Sequence, residues 1–584
     1  MRRTDLPLSL REGIVIGVVA FGYAALCVPF LTDPYVMDES VFMRGMRAVA
    51  RRGIPYYYKS AGVGWEFGLW HPPTYIYYLG GWVAALGDAE SVTRGATALF
   101  TVVTVPLTAA LAAVVARARG TSVATPVILA PILYVVSPLT VQNGTLIDID
   151  GSLLTAAVVT FLAVVVWVAS GRRKAGSRSM VGAIVIGTAA ISAIKFGVLP
   201  VLLGSTLGYL LIRRGPRTSF LAGLSFVGGF AVFSAAWYVV AAGIGLDFAA
   251  PYVHNFGMLL SESGGGRSIS TGKRFLLSGW TLYTEVLWLS PPILALALLS
   301  VLPKSLPRSM PAIGAVVRRN AESLLLLAVA IGTVVQYAVL AKMPYGFPKY
   351  VGVASPLLAV LASIVVEERI PTEWLSSHRL AVIGAVPVVG LAAAVLLGDP
   401  FLAPFDRGIG AVVRRSARTV GAYLVIAAAV AVAAALRASA NHGLSSERTR
   451  SVLVAALVIT TLGVNAGVLA VQADAEYSTR YYYGQEGIDQ TIETTRVEYS
   501  ELPVDSRSAA VIPIDISYYL SGPFTDLTAY SAEDHRRDPA PLVVTRTDEY
   551  YRVNSPVLET LLADERYRSV RHGSFVVFIR EDVT

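Results

Sequence analysis

Hydrophobic positions in this chain come in long unbroken stretches and not in alternation. Apolar runs fall near residues 14–31, 95–116, 121–139, 151–169, 180–194, 197–212, 219–243, 281–300, 322–341, 351–366, 379–397, 420–436 and 451–471. Helices of roughly 20 such residues cross the ~30 Å hydrocarbon layer of a bilayer, so the pattern predicts thirteen membrane spans. Counting from a cytoplasmic N-terminus, alternation puts Arg117/Arg119, Arg172/Arg173/Lys174/Arg178, Arg213/Arg214/Arg217, Lys304/Arg308/Arg318/Arg319 and Arg437/Arg448/Arg450 inside. That is the bias cytoplasmic loops carry; Arg407, Arg414, Arg415 and Arg418 are the exception. No small-residue cleavage site follows the first run, so it reads as a span and not as a signal peptide.

The segment Pro72–Leu86 is apolar and aromatic but short. Counting it as a span would turn every later Arg cluster outward, so it is expected to lie in the interface, where Tyr75, Tyr77, Tyr78 and Trp82 suit the headgroup depth. The first outer loop then runs over residues 32–94, long for a connection without a function of its own. Within it Met37–Arg52 reads as a helix, with Val41, Met46 and Val49 as its apolar stripe and Arg44, Arg47, Arg51 and Arg52 towards lipid headgroups. Gly53, Pro55, Gly62, Gly64 and Gly68 predict irregular chain after it. An odd number of spans places the C-terminal tail outside. The tail resembles a small α/β unit, with strands at Ala510–Ile514, Leu542–Thr545 and Phe575–Ile579 and a helix from Ser555-Pro556 presenting Val557, Leu558, Leu561 and Leu562. The expected fold is an all-α polytopic membrane domain, residues 1–472, followed by an extracytoplasmic α/β domain, residues 473–584.

Composition narrows the classes further. Of 584 residues 54% are hydrophobic and only 15% charged, and the mean hydropathy is +0.59. That excludes a soluble enzyme, a secreted disulfide scaffold and a disordered chain. Cys27 is the only cysteine, so neither an intramolecular disulfide nor a cysteine metal site can form. The net charge of +8 divides unevenly: residues 473–584 hold 20 acidic residues against 11 arginines, a net of −9, and the preceding residues carry +17. The arginines are scattered and not interleaved with exposed aromatics, so nucleic acid is not an expected partner; the lipid bilayer is. The tail has no lysine, which suits a high-salt source, although a GC-rich genome would also favour Arg over Lys.

Ionisable residues at span ends carry the candidate chemistry, because charges near hydrocarbon cost several kcal/mol unless they have partners or a role. Asp38-Glu39 opens the loop helix, either as an N-terminal pair that favours the helix dipole or as part of a site. Asp148 and Asp150 stand at the outer end of the fourth span with the same two readings. His71, in Trp70-His71-Pro72-Pro73-Thr74-Tyr75, is by itself an ordinary polar residue before a proline helix start. Co-location changes the weighing, since all of these map to one membrane face.

A long first outer loop opening with Asp-Glu and followed by His-Pro-Pro-x-Tyr resembles the polytopic glycosyltransferases of the GT-C fold. That class includes the protein O-mannosyltransferases and the bacterial lipid A aminoarabinose transferase. Weaker matches follow in order: an outer acidic residue before a span at Asp148/Asp150, Lys195-Phe196-Gly197 where the family often has Thr-Lys-Gly, and Pro348-Lys349-Tyr350 with Pro356. The resemblance covers the membrane part and points to an archaeal relative.

The resemblance implies a sugar donor carried on polyprenyl (dolichyl) phosphate and an extracytoplasmic acceptor, whether a lipid-linked glycan, a glycoprotein or a lipid. A hexose is the expected sugar. The attack would be inverting, with Asp38 beside Glu39 as general base. Lys195 and Lys349, with His71 as a hydrogen-bond donor, would stabilise the departing phosphate; snorkelling lysines at the interface are the plainer alternative. Asp148 or Asp150 would orient the acceptor or a basic partner. No cofactor is required. A divalent metal held by His254 and Glu262 with Glu66 and an aspartate is the weaker reading of the loop after the seventh span, where Lys273 and Arg274 could also meet phosphate. The expected location is the plasma membrane, multi-pass, with the tail outside. A lipid-linked sugar flippase or transporter, or a glycan ligase, is the alternative function.

Overall fold

The computed structural model describes residues 9–35, 38–60, 64–68, 71–170, 177–253, 289–302, 310–340, 348–370, 446–472, 487–547 and 555–582, with a few isolated positions between 279 and 286 and between 385 and 430. The first helix, α1 (Leu10–Cys27), starts at a capping box in which the Glu12 amide donates to Ser9 Oγ and the Ser9 amide to the Glu12 carboxylate, which satisfies two orphan donors of the first turn. A second helix, α2 (Asp38–Arg52), has acidic residues at its start and Arg51 and Arg52 in its last turn, the order the helix dipole favours.

Gly and Pro predicted irregular chain after α2. A short antiparallel hairpin stands there instead, β1 (Tyr56–Ser60) on β2 (Gly64–Phe67), with Tyr56 opposite Phe67. The aromatic residues favour the pleated surface, and the glycines fall around the turn. The helix α3 (Thr74–Leu86) begins directly after Pro72-Pro73 and ends at Gly87, φ 91°. At 1.5 Å per residue its 13 residues cover roughly 20 Å, too short to span a bilayer. It packs on α2 at two glycines: a Cβ on Gly45 would lie 2.4 Å from Ile76 Cδ1, and one on Gly80 2.5 Å from Val49 Cγ1.

The 30-residue α4 (Glu90–Arg119) is the spine. It buries threonines near its N-terminal end, where Thr93 and Thr97 bond to the hydroxyls of Tyr35 and Tyr75, 2.9 Å in each case. Its far end is tied by Arg119 to Glu368, 2.8 Å away. The chain then bends by 71° between α5 (Ala124–Val135) and α6 (Pro138–Thr145), where Ser137-Pro138 interrupts the ladder. A single π turn, Asp150–Leu154, leads into α7 (Thr155–Ser170); such turns often sit at functional sites. Then come α8 (Ser177–Ser192), α9 (Leu199–Arg214) and α10 (Pro216–Ile244), followed by helices Pro291–Leu299, Met310–Arg319, Ala321–Leu340, Ala354–Arg369 and Ser446–Gln472. Every residue from Ala354 to Val366 is buried. Arg213 pairs with the fully buried Glu322, so some arginines expected at the cytoplasmic ends are neutralised by the neighbouring helix.

Helices occupy eleven of the thirteen expected positions, though residues 291–299 cover only part of one. The runs at 379–397 and 420–436 lie largely outside the described residues, as do Arg407–Arg418. Among the described residues five helices are long and apolar enough to cross a membrane, six if the bent α5–α6 pair counts as one; this is a membrane protein.

The C-terminal stretch forms a five-stranded sheet of order β4-β3-β5-β7-β6. Its strands are β3 (Val511–Ile512), β4 (Thr525–Asp526), β5 (Leu542–Arg546), β6 (Tyr567–His572) and β7 (Phe575–Arg580). Alternation sends Leu542, Val544, Phe575 and Val577 to one face, under helix Ile488–Glu501. Val543 and Phe578 go to the other face, under helix Ser555–Leu562. Three strands and that helix stand where the pattern put them, the first shorter than expected; β4, β6 and helix Ile488–Glu501 were not foreseen.

Gly80→Ala is expected to lower thermal stability in detergent by about 1–3 kcal/mol through overpacking against Val49. Gly81→Ala, with nothing within 4 Å of the added carbon, should raise it by about 0.5–1 kcal/mol. Thermal unfolding of the two purified variants checks the pair.

Candidate functional site

Arg94, in the second turn of α4, is 2% exposed and every nitrogen of its guanidinium is used. Nη1 and Nη2 meet the two oxygens of Glu39 at 2.6 and 2.7 Å. Nη1 also donates to the Thr145 carbonyl at 2.6 Å, Nη2 to Pro34 O at 2.8 Å and Nε to Asp33 O at 3.2 Å. This planar fork on a carboxylate is the geometry that makes a buried pair tolerable. Glu39 Oε1 in turn accepts the Ile147 amide at 2.7 Å. One ion pair thus joins the start of the first loop, the start of α2 and the segment between α6 and α7.

That last segment carries the two aspartates. Asp148 Oδ1 accepts the Asp150 amide at 2.9 Å, and its Oδ2 faces Lys349 Nζ at 2.9 Å. Lys195 Nζ sits 2.7 and 2.6 Å from the two oxygens of Asp150. Asp148, Asp150, Lys195 and Lys349 are each at most 5% exposed. Burial alone would push the Asp148 carboxyl up; Lys349 and Lys195 outweigh it and hold the group below the ordinary carboxylate range. Tyr337 and Tyr350 stack at 4.7 Å beside the pairs, with Lys195 Nζ 5.5 and 5.0 Å from their ring centres.

Close backbone approach makes the convergence possible. A Cβ on Gly151 would lie 2.1 Å from Asn143 Cβ, and one on Gly352 2.8 Å from both Asn143 Nδ2 and Gly151 Cα. The Asn143 side chain is wedged between two glycines, its Nδ2 buried without a hydrogen-bond acceptor. His71 stacks on Phe42 of α2 at 6.4 Å, and Phe42 meets Tyr75 edge-on at 5.7 Å. The Thr74 amide, at the head of α3, donates to Ala193 O at 3.3 Å, two residues before Lys195.

The structure therefore brings Glu39, Asp148, Asp150, Lys195 and Lys349 into one continuous chain of contacts, with the His71 motif alongside. Asp38 is the first residue of α2; its side chain, that of Glu66, and all of His254, Glu262, Lys273 and Arg274 lie outside the described residues. Among the described residues no group of three or more His, Cys, Asp and Glu gathers around a metal position. Arg44 and Arg47, expected to face lipid headgroups, turn instead to the C-terminal segment: Arg44 donates to Ser517 Oγ at 2.5 Å and Arg47 lies 4.0 Å from the Tyr518 ring centre. Arg94 and Asn143 were missed. An arginine near the N-terminal end of a 30-residue helix with a long apolar stretch was the available signal for the first; nothing in the sequence marks the second.

No family model matches the sequence, and no curated protein matches it. Among solved structures, ArnT from Cupriavidus metallidurans in the apo state superposes with a TM-score of 0.53 at 15% identity, covering 98% of each chain. This chain has the GT-C fold. The form of the same ArnT bound to undecaprenyl phosphate gives a TM-score of 0.52 at 14% identity over 97% of each chain. The archaeal oligosaccharyltransferase AglB from Archaeoglobus fulgidus, in complex with an inhibitory peptide and a dolichol-phosphate, gives 0.46 at 13% identity, covering 97% of this chain and 74% of that one.

Arg94→Met leaves the Glu39 carboxylate buried and unpaired and is expected to cost about 3–5 kcal/mol, whereas the double variant Arg94→Met/Glu39→Met should recover most of that loss. Thermal unfolding of both in detergent gives the comparison; equal losses would show that the two charges are not coupled.

Proposed function

We propose that the chain is a membrane glycosyltransferase that moves a hexose from a polyprenyl (dolichyl) phosphate to an extracytoplasmic acceptor. The acceptor is a lipid-linked glycan, a glycoprotein or a lipid. The observation that carries the reading is the pair of buried Lys–Asp contacts, Lys195–Asp150 and Lys349–Asp148, joined through Ile147 and Glu39 to the head of the helix that bears Asp38. Two buried ion pairs in an apolar protein are weak as stability devices and strong as pointers to a site. The GT-C fold shared with an ArnT that binds undecaprenyl phosphate supports a lipid-phosphate ligand.

In this reading the acceptor hydroxyl attacks the anomeric carbon as its proton passes to the Asp38 carboxylate. The new C–O bond forms on the face opposite the phosphate, the old C–O bond breaks, and polyprenyl phosphate departs with both electrons, inverting the centre. Charge grows on that phosphate in the transition state, where Lys195 and Lys349 stabilise it; their flexible stems let each ammonium lean from its aspartate to the ligand. Asp148 and Asp150 hold the lysines in place before and after. His71 and the unmatched Asn143 amide supply neutral donors. Glu39, locked by Arg94, positions the base and exchanges no proton. One base and a phosphate leaving group suffice, so the step requires no cofactor. Thirteen spans, a cytoplasmic N-terminus and an external tail at the plasma membrane complete the arrangement.

Asp38→Asn is expected to reduce transfer from polyprenyl-phosphate hexoses by about 10²–10⁴-fold while binding of polyprenyl phosphate is retained. Consumption of donor by membranes carrying the variant, in the presence of acceptor, measures it; turnover at the parental rate removes Asp38 as the base. A reporter fused after Thr584 should be reached from outside the cell.

A further inference from the structure

The Tyr518–Tyr519 corner follows the short helix Ile514–Ser517 in the C-terminal sheet. Both rings pack on the loop that follows α1. The Tyr35 amide donates to Tyr519 Oη at 2.7 Å, across 484 positions of sequence. The fully buried Tyr35 ring meets Tyr518 edge-on at 5.0 Å and stacks on Tyr519 at 6.2 Å. Its own hydroxyl lies 2.9 Å from Thr93 Oγ1 and donates to Asp88 O at 3.1 Å. Asp88 is also the ion-pair partner of Arg47, whose guanidinium covers Tyr518.

Tyr35 lies three residues before Asp38, so their Cα atoms are at most about 11 Å apart. The residues on either side of that stretch are held by two groups. Arg94 holds the Asp33 and Pro34 carbonyls and the Glu39 carboxylate; the tyrosine corner holds the Tyr35 amide and ring. We infer that the Tyr518–Tyr519 corner is a positioning element that fixes the Tyr35–Glu39 segment and through it the carboxylate of Asp38. The inference rests on the reading of Asp38 as the base, and its effect is on the rate of the chemical step and not on ligand affinity, because neither tyrosine reaches the Lys–Asp pairs. Displacement of a reacting group by about 1 Å costs up to roughly 10²-fold in rate.

Tyr519→Phe removes only the acceptor of the Tyr35 amide. It is expected to lower kcat about 3–10-fold with the KM for donor and for acceptor unchanged, and Tyr519→Ala to lower kcat further. Tyr530→Phe is the control: it removes the contact with His535 Nδ1 at 3.1 Å elsewhere in the same sheet unit and should leave kcat intact. Hydrogen–deuterium exchange of peptides covering 33–40 should speed up in Tyr519→Ala, while peptides covering 155–170 keep the parental rate. A raised KM with unchanged kcat would show a ligand-binding role and overturn the inference. Equal losses in Tyr519→Phe and Tyr530→Phe, or unaltered exchange over 33–40, would overturn it too. The exchange result stands whatever the protein transfers, so a parental enzyme inactive on every polyprenyl-phosphate sugar would defeat the proposed function and leave the corner's grip on Tyr35–Glu39 to be decided separately.

Discussion

Removing the Arg94 guanidinium would release three pieces of chain at once. It is the one group that touches the Asp33–Pro34 carbonyls, the Glu39 carboxylate and the Thr145 carbonyl together, and Glu39 passes the restraint on to Ile147. An arginine in an apolar protein is costly to bury, and each donor without an acceptor would add to that cost. Here each guanidinium nitrogen finds one. The consequence is geometric: the loop after α1, the head of α2 and the bend between α6 and α7 hold a fixed relation that no apolar contact among them would define so narrowly, since dispersion is non-directional and ion-pair geometry is not.

The same logic extends along the site. Arg94, Lys349 and Lys195 face Glu39, Asp148 and Asp150, three cations against three anions. The set is formally neutral, which is why it can be buried. An anion arriving there does not fall into a well of excess positive charge; it must draw ammonium groups from carboxylates that already hold them. Such exchange favours a ligand whose charge grows during reaction over one whose charge is constant, because the balance between aspartate and ligand shifts only as the second charge develops. In the proposed transfer the lysines are the groups able to shift, because their stems are flexible, whereas the arginine's fork is bound on every side.

How much of this was legible follows from what each sequence signal measures. Hydropathy reports transfer to an apolar medium, so it placed helices at most of the expected spans and separated α3 from them by its length. Isolated charges at span ends stood out for the same reason, and Glu39, Asp148, Asp150, Lys195 and Lys349 converge. Amphipathic periodicity reports which face of a helix is apolar and not what covers the polar face. Arg44 and Arg47 were therefore assigned to lipid, whereas the tail takes them. The hairpin at Tyr56–Phe67 was hidden because glycine and proline mark turns without saying what the turn joins. Edge strand β6, with Arg568 and Arg571 among its outward positions, shows no apolar face strong enough to read, as edge strands that avoid unwanted pairing do. Asn143 was invisible because its importance lies in Gly151 and Gly352, far away in sequence or without apparent pattern, which let it fit.

The longest-range contacts have a consequence for assembly. Helices α2, α3 and α4 are near neighbours in sequence, so their packing incurs little loop-closure entropy. Lys349 reaches Asp148 across 201 positions and Tyr519 reaches the Tyr35 amide across 484. In a chain made from its N-terminus, the first loop can dock on α4 through Arg94 long before either of those partners exists. The aspartates then wait for the lysine that neutralises Asp148, and Tyr35 waits for the last folded unit of the chain. The contacts are thus completed in the order of synthesis: Glu39 meets Arg94 first, Lys349 reaches Asp148 later, and Tyr519 takes the Tyr35 amide last. A loop held at one end by a near neighbour and at the other by a late one gains its second restraint only after the sheet has folded.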